Sequence, residues 1–159
     1  MIFGERIRII IPILWLGFVL SISFMEAWLK FQAEGVTQAI GLSIGRLVFG
    51  ALNKVEWSFM IILIVSNFRT FRFSREKTFR NILISLIGIL LLQTFYLLPV
   101  LDQRAEMIIN GVKPSASYLH FYYVFIELLK VVLLGIFTHL TLINKKHKIT
   151  IQESHQKYI

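Results

Sequence analysis

Charged side chains interrupt a stretch of sequence that otherwise has the composition of a membrane-spanning helix. The stretch is HFYYVFIELLKVVLLGIF, residues 120–137, and it carries His120, Glu127 and Lys130. Positions 120, 123, 127 and 130 are three or four residues apart, so on a helix these three side chains and Tyr123 lie on one face. A carboxylate, an ammonium and an imidazole at this spacing are groups that pair, relay a proton or bind a ligand.

Shorter polar stripes occur in the three apolar stretches that precede this one. Their members are three, four or seven residues apart, which again places them on one helical face. They are Glu26 and Lys30 in the first stretch, Arg46, Asn53 and Glu56 in the second, and Gln93 and Tyr96 in the third.

The composition indicates that lipid surrounds these stretches. Of the 159 residues, 56% are hydrophobic and 16% are charged, whereas a soluble domain has about 25% charged residues. The chain contains no cysteine, which excludes disulfides, thiolate metal sites and thiol redox chemistry. The formal net charge is +8, but the basic residues lie in short loops, so nucleic acid is not a predicted partner.

Four apolar segments predict four membrane helices in an all-α fold, because helices satisfy their own backbone groups in lipid. They lie near residues 9–29, 40–68, 81–101 and 118–143. Pro99 is predicted to end the third helix. We therefore predict a polytopic membrane protein with one four-helix transmembrane domain over residues 1–143 and a short basic tail over residues 144–159.

The positions of the basic residues predict the orientation. Most Lys and Arg residues lie near the N-terminus, in the loop 69–80 and in the tail, and four spans place these regions on one side. The positive-inside rule makes that side cytoplasmic, so both termini are inside. The loop 69–80 and the tail are predicted to contact anionic lipid head groups. The Ile-, Phe- and Lys-rich usage is typical of an AT-rich bacterial genome, which favours a bacterial inner membrane.

The polar residues concentrate in the outward half of the predicted bundle. At 1.5 Å per residue from the cytoplasmic helix ends, Glu26 is about 25 Å along its helix, Glu127 about 24 Å and Glu56 about 18 Å. A charged residue at mid-bilayer costs about 2.5–3.5 kcal/mol even on lenient scales. These side chains are therefore expected to face one another, or a water-filled cavity, and not lipid.

Several functions fit this polar layer. As a packing network it would contain ion pairs within and between helices. The predicted pairs are Glu26 with Lys30, Glu127 with Lys130, Glu56 with Lys130, and Arg46 with Glu26 or Glu127. A proton or solute transporter is another interpretation, although the cytoplasmic half offers few polar residues to complete a path.

Metal binding and ligand binding are the other two interpretations. Carboxylate and imidazole groups bind iron, manganese or zinc, as in a metal-dependent or redox-linked membrane enzyme. The metal candidates are Glu26, Glu56, His120 and Glu127. Against them, no Glu-x-x-His motif is present and the cations Arg46 and Lys130 oppose a metal ion. An amphipathic ligand such as a quinone or a lipid head group would use cationic residues for its polar end and aromatic residues for the rest.

Four short motifs carry a resemblance to a known family. They are WLG at 15–17, GRLVFGAL at 45–52, LDQRAEMI at 101–108 and YLHFYYVFIELLK at 118–130. The chain resembles a family of small four-helix membrane proteins of unknown function, widespread in bacteria, which includes eukaryotic transmembrane proteins linked to platinum-drug resistance. The resemblance implies a fold and no chemistry, and Glu26, Glu56 and Glu127 are not matched to it.

The favoured function is non-enzymatic, because no catalytic motif accompanies the polar layer. The chain is expected to bind a ligand or a partner membrane subunit, as a homo-oligomer or within a larger complex. No cofactor and no catalytic residue are assigned. The predicted cluster consists of Glu26, Arg46, Asn53, Glu56, Gln93, Tyr96, His120, Tyr123, Glu127 and Lys130.

Overall fold

Four long helices make up the fold in the computed structural model, which describes residues 3–68 and 77–156. Within these ranges all regular structure is helical. Helix α1 covers residues 3–32, α2 Gln38–Phe68, α3 residues 77–109 and α4 Leu119–Gln156. The connections 33–37 and 110–118 lie at one end of the bundle, called here the hairpin end. Helix α1 begins at the opposite end, called the terminal end.

All four helices are long and apolar enough to cross a membrane. The segments are Arg6–Gln32, Gln38–Ser66, Lys77–Ile109 and Leu119–Asn144, with mean hydropathies of 1.7 to 2.2. Only 22% to 33% of the residues in their most apolar windows are buried in the fold. Large apolar side chains such as Leu47, Phe95 and Phe125 are therefore exposed all around the bundle. A soluble monomer rarely exposes apolar surface on this scale, which suggests membrane integration.

Two helices contain a π-helical stretch. In α1 the stretch Leu20–Glu26 separates the α-helical Phe3–Val19 from Ala27–Leu29, and a 3-10 turn, Lys30–Gln32, ends the helix. In α3 the stretch Gln93–Leu97 separates Lys77–Leu92 from Leu98–Ile109. Such stretches widen the helix locally and are frequent at functional sites, because they change which side chains point inward.

The prediction that Pro99 ends the third helix is wrong. The π-helical stretch shifts the hydrogen-bond register, so a new α-helical segment begins at Leu98. Pro99 then occupies the first turn of that segment, where its missing N–H costs little. Helix α3 consequently continues to Ile109, and Gln93 lies at the middle of residues 77–109.

Helix α4 also continues beyond the predicted end of the span at residue 143. It reaches Gln156, because the polar sequence after residue 143 contains no Pro or Gly to end a helix. The basic residues predicted to contact lipid lie mostly outside the described part of the chain. They are Arg69, Arg72 and Arg75 in the loop and the side chains of Lys145, Lys146, Lys148 and Lys157.

The apolar core lies in the terminal half of the bundle. It is centred on Trp15, Met60, Leu86 and Phe137, all 0% exposed, with one residue from each helix. Helix α1 packs against α2 and α4, and α2 packs against the second half of α3. Above this core, toward the hairpin end, polar side chains and a cavity occupy the interior.

Candidate functional site

Three charged side chains form a buried ionic triad between α2 and α4. The Nζ atom of Lys130 lies 2.5 Å from Oε1 of Glu56 and 3.1 Å from Oε1 of Glu127. The side chains of Lys130 and Glu127 are 0% exposed and that of Glu56 is 1% exposed. Glu127 and Lys130 are three residues apart, so one helical turn brings both to the same face of α4.

Helices α1 and α3 complete the triad with neutral hydrogen-bond donors. The indole Nε1 of Trp15 donates to Oε1 of Glu56 at 2.9 Å, and Nε2 of Gln93 donates to Oε1 of Glu127 at 2.7 Å. Charges removed from solvent are tolerated only when such bonds compensate for lost hydration. All four helices therefore contribute to one polar network, which fixes their relative register.

Several buried polar atoms in this part of the bundle have no hydrogen-bond partner. Oε2 of Glu127 and Oε1 of Gln93 have no hydrogen-bond partner, although both side chains are fully buried. Nδ2 of Asn53 and Oγ of Ser23 also lack partners. A buried polar atom without a partner costs about 1–3 kcal/mol, so these atoms mark places where a proton, a water molecule or a ligand group completes the site.

A second chain of hydrogen bonds lies beside the triad. The indole Nε1 of Trp57 donates to Oγ1 of Thr94 at 2.9 Å, and Thr94 donates to Oδ1 of Asn53 at 3.1 Å. Thr94 follows Gln93 directly in the π-helical stretch, and both side chains make polar contacts inside the bundle. Consecutive residues of a helix point in different directions, so Gln93 reaches Glu127 while Thr94 reaches Trp57 and Asn53.

A cavity of about 500 Å³ opens between the helices at the hairpin end. This volume lies within the range of about 300–1,000 Å³ typical of small-molecule sites. Its wall is mostly apolar, with Phe31, Leu42, Phe49 and Leu98 among the lining residues. Its polar lining residues are Lys30, Arg46, Thr94, Asp102, His120 and Tyr123.

Arg46 on α2 is held against α3 by two carboxylates. Its Nε lies 2.5 Å from Oδ1 of Asp102, and its Nη2 lies 2.9 Å from Oδ2 of the same residue. The same Nη2 lies 3.5 Å from Oε2 of Glu106. Two parallel bonds from one guanidinium fix its plane as well as its position. The side chain of Arg46 remains 30% exposed, so it can still reach a ligand in the cavity.

Lys30 is the second cation of the cavity wall. Its Nζ lies 3.2 Å from Oε2 of Glu26 and above the rings of Phe31 and Phe49, at 5.6 and 5.4 Å from their centroids. Its side chain is 9% exposed. Carboxylate and ring contacts together hold the ammonium at one place on the wall.

Gly41, Gly45 and Gly50 on α2 line the cavity. A Cβ atom at Gly45 would lie 2.9 Å from Nζ of Lys30, and one at Gly41 would lie 2.1 Å from the ring of Phe31. At Gly50 a Cβ would meet no atom within 4 Å, although Gly50 lines the cavity. The first two glycines allow close contact with α1, and the third borders open space.

The structure divides the predicted cluster into two sites. Glu56, Glu127 and Lys130 form the ionic triad with Gln93, and Asn53 lies beside it. Arg46, His120 and Tyr123 line the cavity, with Glu26 behind Lys30. The predicted pairs Glu26–Lys30, Glu127–Lys130 and Glu56–Lys130 are confirmed.

Two predictions about these residues are wrong. Arg46 pairs with Asp102 and Glu106 and with neither Glu26 nor Glu127, because α3 extends far enough to supply carboxylates that a shorter helix lacks. Tyr96 is 56% exposed and lies outside the cluster. In the wide π-helical turn Leu97, and not Tyr96, follows Gln93 into the interior, because i and i+4 are closer to alignment there than i and i+3.

The predicted cluster does not include Trp15, Thr94, Asp102 and Glu106, which contribute to the two sites. Trp15 and Thr94 gave no signal, because an indole N–H or a hydroxyl within an apolar stretch has many ordinary positions. Asp102 and Glu106 did carry one, since their spacing of four residues places two carboxylates on one helical face. The expectation of a helix end at Pro99 concealed it.

The four metal candidates do not come together. Glu26 pairs with Lys30, and the exposed His120 lies at the start of α4. Lys130 bridges Glu56 and Glu127 and occupies the place between them. Among the described residues, no group of three or more histidines, aspartates and glutamates is arranged to hold a metal ion.

Comparisons with known proteins do not assign a function to this chain. No protein-family model, no curated protein and no solved structure matches the chain. The resemblance to the small four-helix membrane proteins therefore stays a prediction from the four short motifs.

Proposed function

We propose that this chain is a non-enzymatic integral membrane protein that binds one amphipathic small molecule in the cavity at the hairpin end. The observation that carries the proposal is the cavity of about 500 Å³, which combines an apolar wall with fixed cations. The ligand places its apolar part against Phe31, Phe49 and Leu98. Its polar end carries acceptor oxygens, as a quinone or a phospholipid head group does.

The hydrogen-bonding groups of the wall support that ligand class. Lys30 and Arg46 are donors only, and the hydroxyls of Thr94 and Tyr123 can also donate. Asp102 is the one carboxylate among the residues that line the cavity in the described chain, and Arg46 already occupies both of its oxygens. A ligand with acceptor oxygens thus meets more available donors than a cationic ligand meets acceptors.

The orientation is part of the proposal. Both termini are cytoplasmic and the hairpin end faces outward, with the inner membrane of a bacterium as the location. The positions of the basic residues support this orientation, and the four apolar helices support membrane integration. The cavity would then draw its ligand from the outer leaflet or from outside the cell.

Replacement of Gly50 tests the proposal. Gly50 lines the cavity and a Cβ there meets nothing within 4 Å, so Gly50→Leu adds a side chain at the cavity wall without a clash at Cβ. Gly88→Leu is the matched control, because Gly88 is exposed, has the same free space and does not line the cavity. Native mass spectrometry from mild detergent would measure the bound mass, and analysis of the extract for phosphorus and for quinone absorption would separate the two ligand sources.

We expect one small organic molecule per chain in the wild type and in Gly88→Leu, and its loss in Gly50→Leu. Equal retention by all three proteins would place the molecule elsewhere and contradict the proposal. A co-purifying membrane subunit without any small molecule would instead support the partner-binding alternative. A stoichiometric metal ion that Glu56→Gln removes would support the metal-dependent enzyme.

A further inference from the structure

Gln93 and Glu127 form one of the two hydrogen bonds that an amide and a carboxylic acid can make with each other. Nε2 of Gln93 donates to Oε1 of Glu127 at 2.7 Å, and the remaining oxygen of each side chain has no partner. A carboxylate next to an amide makes this one bond only, because it is an acceptor without a proton to donate. A protonated carboxylic acid makes two, accepting from the amide N–H and donating its own O–H to the amide oxygen.

The charge of the network supports the protonated form. Two carboxylates share the single ammonium of Lys130, and all three side chains are at most 1% exposed. With both carboxylates ionised, the network holds one uncompensated negative charge away from water, which is strongly unfavourable. One bound proton makes the whole network neutral and supplies the missing hydrogen bond.

The contacts distinguish the two carboxylates. Oε1 of Glu56 receives the short bond from Lys130 at 2.5 Å and the indole N–H of Trp15. Oε1 of Glu127 is 3.1 Å from the ammonium and receives a neutral amide N–H. Glu56 therefore has the contacts of an ionised partner, and Glu127 those of an acid.

We propose that Glu127 binds an exchangeable proton on Oε2 and donates it as a hydrogen bond to Oε1 of Gln93. Glu56 and Lys130 then form a neutral ion pair. The groups around Glu127 are Glu56 from α2, Gln93 from α3, and Tyr123 and Lys130 from α4, and Trp15 from α1 donates to Glu56. Tyr123 also lines the cavity, so it separates the proton site from the ligand site. The proton site stands on its own contacts and does not depend on the proposed ligand.

Infrared difference spectroscopy of the purified protein in mild detergent tests this. We expect the C=O stretch of a buried protonated carboxylic acid at neutral pH, shifted in D2O. The band should disappear in Glu127→Gln and persist in Glu26→Gln, the control for a carboxylate that pairs near the surface. In Gln93→Met the band should move to higher frequency, because the acid loses both bonds to the amide.

Two results would overturn the proposal. One is the absence of an acid band in the wild type, a measurement that does not depend on any variant folding. The other is a band that Glu56→Gln abolishes and Glu127→Gln leaves in place. Thermal stability gives a second comparison, because the amide introduced by Glu127→Gln can donate to Gln93 as the acid does. Glu127→Gln should therefore melt near the wild-type temperature. Glu56→Gln should melt below it, because Lys130 loses its 2.5 Å partner and keeps only the more distant carboxyl of Glu127.

Discussion

Lys130 of α4 and Glu56 of α2 form an ion pair of 2.5 Å in which neither side chain is more than 1% exposed. The two residues are 74 positions apart in the sequence, and the pair forms only when the second and fourth helices take their final register. Because a buried charge without its partner is far more costly than no charge at all, this contact discriminates strongly between the native packing and any shifted arrangement.

Removal of one charge from this pair should destabilise the bundle. Lys130→Met leaves Glu56 buried without a cation, which should lower the free energy of unfolding by about 3–5 kcal/mol. The double variant Glu56→Gln with Lys130→Met removes both charges and should recover most of that loss. Unfolding titrations in mixed detergent micelles would measure all three proteins. A double variant as unstable as the single one would contradict this interpretation.

Alanine at two glycines of α2 should have opposite effects. Gly41→Ala places a Cβ where the ring of Phe31 lies, 2.1 Å away, so the ring must move and the free energy of unfolding should fall by about 1–3 kcal/mol. Gly50→Ala meets no atom and should raise it by about 0.5–1 kcal/mol through a better helix propensity. Thermal melts of the two variants measured side by side would check both signs. A change of both melting temperatures in the same direction would contradict the different surroundings described for Gly41 and Gly50.

Arg46 should matter for the ligand and little for stability. Its ion pair with Asp102 is partly exposed, and exposed ion pairs contribute little to folding. Arg46→Gln should therefore leave the melting temperature nearly unchanged while it reduces retention of the bound molecule. Lys54→Gln, which changes an exposed cation outside the cavity on the same helix, is the matched control. Equal retention by both variants would remove Arg46 from the site.

The absence of cysteine makes the orientation easy to measure. Single cysteines introduced by Glu34→Cys and Lys113→Cys lie in the two connections of the hairpin end, and Lys77→Cys lies at the start of α3. In intact cells a membrane-impermeant thiol reagent should label the first two and spare the third. Inverted membrane vesicles should give the reverse pattern. Labelling of Lys77→Cys alone in intact cells would reverse the proposed topology.

The helices and part of the ionic triad were predictable from the sequence, because they follow from its hydropathy and from the spacing of its charged residues. Apolar runs long enough to cross a bilayer gave the four helices. The spacing of Glu127 and Lys130, and their depth relative to Glu56, gave the charges that must meet. The high desolvation cost of charges leaves few alternatives for three of them buried at similar depth.

The contacts that were not predicted depend mainly on the π-helical stretch of α3 and on the length of that helix. A π-helical stretch has no dependable sequence signature, so the prediction followed α-helical spacing and placed Tyr96 beside Gln93. The same stretch carries the helix past Pro99 and brings Asp102 to Arg46. The cavity was not predictable either, because it lies between helices and the sequence does not show how closely α2 approaches α1 at Gly41 and Gly45.

The sharing of Lys130 between two carboxylates also bears on how the chain is made. A ribosome synthesises α2 before α4, so Glu56 is made before its partner Lys130 exists. Glu127 and Lys130 leave together and, being three residues apart, pair as soon as their own helix forms, which lowers the cost of releasing that segment into lipid. In a membrane the unpaired carboxylate of Glu56 costs about 2.5–3.5 kcal/mol at mid-bilayer until the fourth helix arrives, so the Glu56–Lys130 contact is the part of the triad that the order of synthesis delays.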